Sequence, residues 1–507
     1  MSTDSRDRLA PDRRQFLQGL GAGASAAALG SLVGLGACGA DRPAERGTGG
    51  SGGTGVSGPN DRLRGVVRGI DPGEIPEQYE ARRLGELSDV DLYLQVAEIV
   101  AHPGPQLTSF TLHAPLELLA RHALLPFVDP AERKLARLQI VASASAFEAG
   151  VSSIPPPARP APSPDAAAAE ARLGRALDEG DADGFEAAAL QVAAQFGTPH
   201  LVRLLVPAAL PTLTGASHSH IGLWLLLKHG PSYATGDALL LRAAARYLAA
   251  EPKATLKTCS AETLAGSAPL ARPPAEVGGA VLRCLADPPR GEARGTGLRG
   301  LLEGGEATGH VEACFGELLG HALTPEQSEA AFRALLRASA HAMLQDDVGQ
   351  AKFGWSHQLT LPQSAYGLAG LGLGGELALA AALAWVTSFR SVLSQRAHDF
   401  GWAPEPLEDA SLREALDTSP AAAAARVWHA AEAELPAIRR TLATEASIRN
   451  DQHLVKYTRA CFDLCAQDPE AERLYLAAAG HLCAHWIGEA PRGGILDDLL
   501  AGRSTPK

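Results

Sequence analysis

From about Ile75 to Ile487 apolar residues recur at intervals of three and four, as in Ala238-Leu239-Leu240-Leu241-Arg242-Ala243-Ala244-Ala245-Arg246-Tyr247-Leu248, and alternating β-branched runs are few. Side chains three or four apart share one helical face, and Ala, Leu, Arg and Glu are strong helix formers. The pattern predicts an all-α protein, with a large multi-helix domain and a smaller N-terminal helical segment. Local punctuation agrees. Gly230 follows the run from Ile221 to His229 as a stop, with Lys228 and His229 beside the negative end of the helix dipole. Asn450 or Asp451 is placed to cap the helix that carries His453. No repeat of fixed period is present.

The ends and linkers divide the chain. Arg13-Arg14-Gln15-Phe16-Leu17 precedes a Gly- and Ala-rich apolar stretch that closes on Leu35-Gly36-Ala37-Cys38. Twin arginines before a weakly apolar run resemble a Tat export signal, and the tetrapeptide ending in Cys38 resembles a lipobox. The expectation is a chain folded before export by the Tat translocase, then lipidated on Cys38 and held at the periplasmic or cell-surface side of a membrane. Lipid on Cys38 would then be the only membrane attachment. Residues 38–60 are a Gly/Ser tether and 61–150 a helical segment. Residues 151–168 form a Pro-rich linker around Ser153–Pro164, 169–490 the main domain, and 491–507 a tail. The Gly-rich stretch from Pro288 to Thr308 is a candidate loop dividing the main domain.

Charge narrows the partners. Of 45 basic and 57 acidic residues the signal holds four and three, leaving the mature chain at −13. That argues against nucleic acid or an anionic lipid surface. Six cysteines remain after Cys38: Cys259, Cys284, Cys314, Cys461, Cys465 and Cys483. An oxidising compartment permits disulfides, but their scatter does not resemble a disulfide scaffold.

Three familiar patterns fail. Gly19, Gly21 and Gly23 lie inside the export signal. The glycines from Gly367 to Gly375 lack a preceding strand, so they read as close helix packing rather than a phosphate cradle; Glu376 argues against that segment spanning a membrane. The acidic turn from Asp178 to Gly184 would put Leu190 where a calcium loop needs its closing carboxylate, which makes it a helix-hairpin turn. No flavin or dinucleotide motif remains, and the cofactor is unknown.

Three groups of residues could carry chemistry. Ser217-His218-Ser219-His220 opens a helix; its serines suit capping, and its histidines can move protons or bind a ligand. Trp355-Ser356-His357-Gln358-Leu359-Thr360-Leu361-Pro362 reads as a loop entering a helix with Pro362 in its first turn. His357 and Thr360 would then lie near a positive helix end, and Trp355 could wall an aromatic ligand. Asp451 to Cys461 puts His453, Lys456 and Tyr457 on one face. Leu454 and Val455 make a fully solvated face a poor alternative. Each histidine could equally be a satisfied core group. Cys461 and Cys465, like His481 and His485, stand one turn apart, yet no CxxC or HExxH signature appears, so no metal ligands are assigned and small-residue packing is favoured.

Taken in order after the His-led helix at His220, His357-x-x-Thr360-x-Pro362 and His453-x-x-Lys456-x-Thr458-x-Ala460 resemble the questin oxidase-like family over roughly residues 198–487. The resemblance implies an oxidase that uses O2 for Baeyer–Villiger-type oxygen insertion into an aromatic or phenolic ketone, without the usual flavin fold. His220, His357, His453 and Lys456 would be catalytic, and Trp355, Thr360, Tyr457 and His218 would bind substrate. NADPH is not available outside the cytoplasm, so the substrate would arrive already reduced. Two other functions compete: a non-catalytic helical envelope lipoprotein that binds a hydrophobic ligand or partner, and a His-based metal oxidoreductase, which requires at least three of these groups to converge.

Overall fold

The structure, a computed structural model, describes residues 65–104, 113–211, 218–230, 242–250, 259, 268–294, 297–346, 355–394, 396–407 and 410–489. The stretches expected to be an export signal and a tether, with Cys38, and also Ser217 and residues 490–507, lie outside them. The chain is all-α. Its helices are α1 (Ile75–Ala81), α2 (Asp89–Val100), α3 (His113–Leu124), α4 (Arg133–Gly150), α5 (Ala166–Glu179), α6 (Ala182–Phe196), α7 (Thr198–Ala209), α8 (His218–His229), α9 (Arg242–Ala250) and α10 (Pro274–Ala286). They continue with α11 (Gly297–Glu306), α12 (His310–Leu319), α13 (Pro325–Gln345), α14 (Ser356–Gly370), α15 (Gly375–Leu393), α16 (Leu412–Thr418), α17 (Pro420–Trp428), α18 (Leu435–Ile448), α19 (Gln452–Gln467) and α20 (Glu472–Glu489). Among the described residues no strand forms; one isolated bridge joins Pro269 and Ala322.

Helix starts follow side chains that satisfy orphan backbone donors. Asp165, Asp181 and Asp451 accept from the amides of Ala168, Gly184 and Leu454. Thr324 with Gln327 and Ser411 with Glu414 form reciprocal capping boxes. The acidic turn is the helix hairpin its spacing predicts: Gly180 takes a left-handed conformation after α5, and Asp181 caps α6. Gly230 ends α8 with its amide on the Leu226 carbonyl.

Of the glycines before α15, Gly367 and Gly374 serve close packing, whereas Gly370 and Gly372 have open space where a Cβ would lie. A Cβ on Gly367 would meet the Trp224 ring at 2.5 Å, so α14 and α8 approach more closely than alanine allows. Helix α15 is long and apolar enough to cross a membrane but lies largely buried in the protein's own core.

Two expectations change. The stretch from Pro288 to Thr308 is not a dividing loop, because it contains α11, which packs on α15; a Cβ on Gly305 would lie 2.3 Å from the Ser388 Cα. Its glycines permit that approach, and composition alone mistakes them for a linker. Pro362 is not in a first turn either: α14 begins at Ser356 and carries Pro362 inside it. The missing amide withdraws the helical partner of the Gln358 carbonyl. Burial of Leu359, Leu361, Ala365 and Leu368 offsets that loss.

One hydrophobic core runs from Val67 to Ile487, on both sides of the Pro-rich linker. Arg121 of α3 donates to the carbonyls of Ser447 and Arg449 at the end of α18, at 2.6 Å each, and Gln139 of α4 donates to Ile448 at 3.0 Å. Basic groups at a helix C-terminus meet carbonyls that have no donor within the helix. These bonds seat residues 65–150 on the later helices. The linker is thus a connection across a shared core.

Within that core four helices close a ring of contacts: α3 on α8, α8 on α14, α14 on α19, and α19 on α3. Trp224 and His229 of α8 and Arg459 of α19 all bond the Asp463 carboxylate, which locks α8 along α19.

Candidate active site

Each helix of the ring carries a histidine near its start. His113 and His218 are the first residues of α3 and α8, and His357 and His453 are the second residues of α14 and α19. All four are buried, at 5 % exposure or less. The Nε2 atoms of His113 and His218 are hydrogen-bonded, and the Nε2 of His357 lies 3.5 Å from that of His218. His453 meets the rings of His113 and His357 edge-on at centroid distances of 5.0 and 5.1 Å. Four imidazoles from four separate stretches of chain form one cluster.

The local fold holds these rings from several sides. Trp385 donates its indole N–H to the His357 carbonyl at 3.0 Å, which fixes the start of α14. Asp451 caps α19 and places its other carboxylate oxygen 3.7 Å from the His453 Nδ1. The first turns of α14 and α19 therefore present helix dipoles, positive end inward, beside the cluster.

Burial sets the protonation states. It holds His113 well below the usual histidine range, reinforced by Lys456 and by the other three imidazoles. Lys456 is fully enclosed, and desolvation lowers its ammonium to about 7 against the opposing pull of Asp451 and Glu117. Its Nζ has no hydrogen-bond partner among the described residues. A neutral imidazole and a lysine that titrates near neutrality are suited to proton transfer and to pairing with an organic anion.

Of the residues singled out by sequence, His218, His357, His453 and Lys456 come together. His220 is buried on α8, about 200° round the helix from His218; the ring contacts of the cluster run through His218. Trp355 is fully buried at the N-cap of α14, and Thr360 turns its hydroxyl to the Ser356 carbonyl at 3.0 Å. Tyr457 is buried on α19, where desolvation raises its phenol well above 10, with Cys461 and Tyr475 as neighbours. Burial of His453 through Cys465 excludes a solvated face for that helix. Cys461, Cys465 and Cys483 are packed in the core, and no described cysteine forms a disulfide. Burial pushes the Cys465 thiol up to about 12.

His113 is the member that sequence reasoning missed. Its signal is the one the others share, a histidine opening an apolar helix, here His113-Ala114-Pro115-Leu116. It lies 105 residues before His218 and across the Pro-rich linker, so no local spacing connects them. Comparison of the chain with protein-family models, with curated proteins and with solved structures gave no match.

Proposed function

We propose that this chain is an exported, lipid-anchored oxidase of the questin oxidase-like kind, which uses O2 to insert one oxygen atom beside the carbonyl of a reduced phenolic ketone. The observation that carries the reading is the meeting of His218, His357 and His453 with His113 and Lys456 in one enclosed centre. Enclosure strengthens each electrostatic contact on a developing anion.

In this mechanism an imidazole of the cluster takes the phenol proton. Lys456 and the starts of α14 and α19 stabilise the resulting phenolate. Trp355, buried at the N-cap of α14 two residues before His357, supplies an aromatic surface, whereas His220 on the other side of α8 from His218 and Thr360, whose hydroxyl stays on the Ser356 carbonyl, are given no part in the step. One oxygen atom enters the carbon–carbon bond beside the carbonyl and the other leaves as water. The two electrons come from the hydroquinone form of the substrate, so no nicotinamide is needed outside the cytoplasm.

The test is incubation of the protein with reduced phenolic ketones under isotopically labelled O2. The expected outcome is one labelled atom in the product and one in water; unlabelled product with hydrogen peroxide would replace oxygen insertion by simple oxidation. Export is tested separately. Fatty-acid labelling should depend on Cys38, and Arg13→Lys with Arg14→Lys should retain the precursor in the cytoplasm.

A second reading draws on the depth of the cluster. Four histidines at 5 % exposure or less can also form a hydrogen-bonded core in a non-catalytic lipoprotein that binds a hydrophobic ligand or envelope partner. It predicts ligand binding without oxygen uptake.

A further inference from the structure

We propose that His113, His357 and His453 form a three-imidazole site for one divalent first-row transition-metal ion, with an anion completing its coordination. The inference goes beyond the oxidase reading and is testable without turnover.

One ring nitrogen from each of the three histidines lies within 4.8 Å of the other two. With metal–nitrogen bonds of ~2.0–2.1 Å, the nitrogens of a tetrahedral site stand roughly 3.3–3.4 Å apart. Modest rotation of the side chains closes this triangle onto an ion. The donors come from α3, α14 and α19, so the fold itself gathers them, and a chance pairing along one helix face is excluded.

The donor set points to the class of metal. Imidazole nitrogen suits zinc, copper, iron and nickel, whereas calcium and magnesium take oxygen ligands. Metal binding requires imidazoles without the extra proton, so the site should fill as pH rises through the ordinary histidine range. Asp451 lies 3.7 Å from the His453 Nδ1, beyond hydrogen-bond reach, and a small rotation of the ring brings the two together as carboxylate and ligating histidine pair in metal sites.

Charge points to the fourth ligand. Imidazole ligands carry no negative charge, so three of them leave a dipositive ion uncompensated beside the positive ends of α14 and α19. A bound anion such as hydroxide, azide or a phenolate oxygen removes that imbalance. His218 stays outside the triad, with its Nε2 bonded to His113 and 3.5 Å from His357, in position to move a proton.

The experiment titrates chelator-treated full-length protein with cobalt(II) chloride, followed in the visible d–d bands, with and without sodium azide. The expected result is saturation at one cobalt per chain, with azide changing the bands and tightening binding. His113→Ala, His357→Ala and His453→Ala should each weaken binding by at least ~100-fold, and Asp451→Asn by ~10-fold, within the range seen for residues that orient a ligand. His341→Gln, at a buried histidine bonded to Gln345, should change nothing. Circular dichroism checks each variant, and a Gln replacement serves where Ala unfolds the chain. Absence of saturable bands, or equal binding by wild type and the triad variants, overturns the site. Cobalt binding without any oxygen uptake by the iron-, copper- or metal-free protein would sink the oxidase proposal alone.

Discussion

The Asp451 carboxylate serves α19 and His453 at once: one oxygen accepts the Leu454 amide at 2.7 Å and the other lies 3.7 Å from the His453 Nδ1. The two roles separate by substitution. Asn caps about as well as Asp, so Asp451→Asn should change the urea-unfolding free energy by less than ~0.5 kcal/mol, while Asp451→Ala should cost ~0.5–2 kcal/mol. Equal losses in both would show that the cap is not what Asp451 contributes to stability.

Lys456 should oppose folding in a pH-dependent way. Its folded-state value of about 7 lies below the ordinary 10.5. Between those two values the unfolded chain binds the extra proton, so stability rises with pH across that window. Below about 7 both states are protonated and the cost of burying the charge is present in full. Lys456→Met should therefore stabilise the protein at pH 7 and below by roughly 3–5 kcal/mol, and the gain should shrink toward pH 10.5. Stability that gains while oxygen uptake is lost marks a residue kept for function. A pH-independent difference between the two proteins would contradict the assignment.

Asp463 ties α8 to α19 through His229 at 2.8 Å, and Arg459, one turn earlier on α19, holds the same carboxylate at 2.5 Å. Burial pushes its carboxyl up, but those two partners hold it below the usual range. Its stabilisation is present above the ordinary carboxylate value near 3.8 and is lost as pH falls through the lowered one. Asp463→Ala strands a buried guanidinium, and thermal or urea unfolding at neutral pH should show a loss of ~3–5 kcal/mol. A loss below 1 kcal/mol would mean that α8 is held by apolar packing alone.

The fold was legible wherever one helix decides its own shape. The stop at Gly230, the cap at Asp451 and the hairpin at Gly180 follow from side chains a few residues away. Pro362 and α11 were not, because burial against other helices outweighs a proline's missing amide and a run of glycines. At the centre, His357, His453 and Lys456 announced themselves by spacing along the chain. His113 did not, since its place depends on α3 crossing the Pro-rich connection to dock on α8 and α19.

The central claim is that the histidine cluster is a working centre rather than a core filler, and oxygen uptake by His453→Ala with a reduced phenolic ketone tests it most directly. The account predicts a rate reduced by ~10²–10⁴, the effect of losing one proton-transfer group, with the melting temperature within a few degrees of wild type. Uptake at the wild-type rate in a folded variant, or a variant that fails to fold at all, would contradict it.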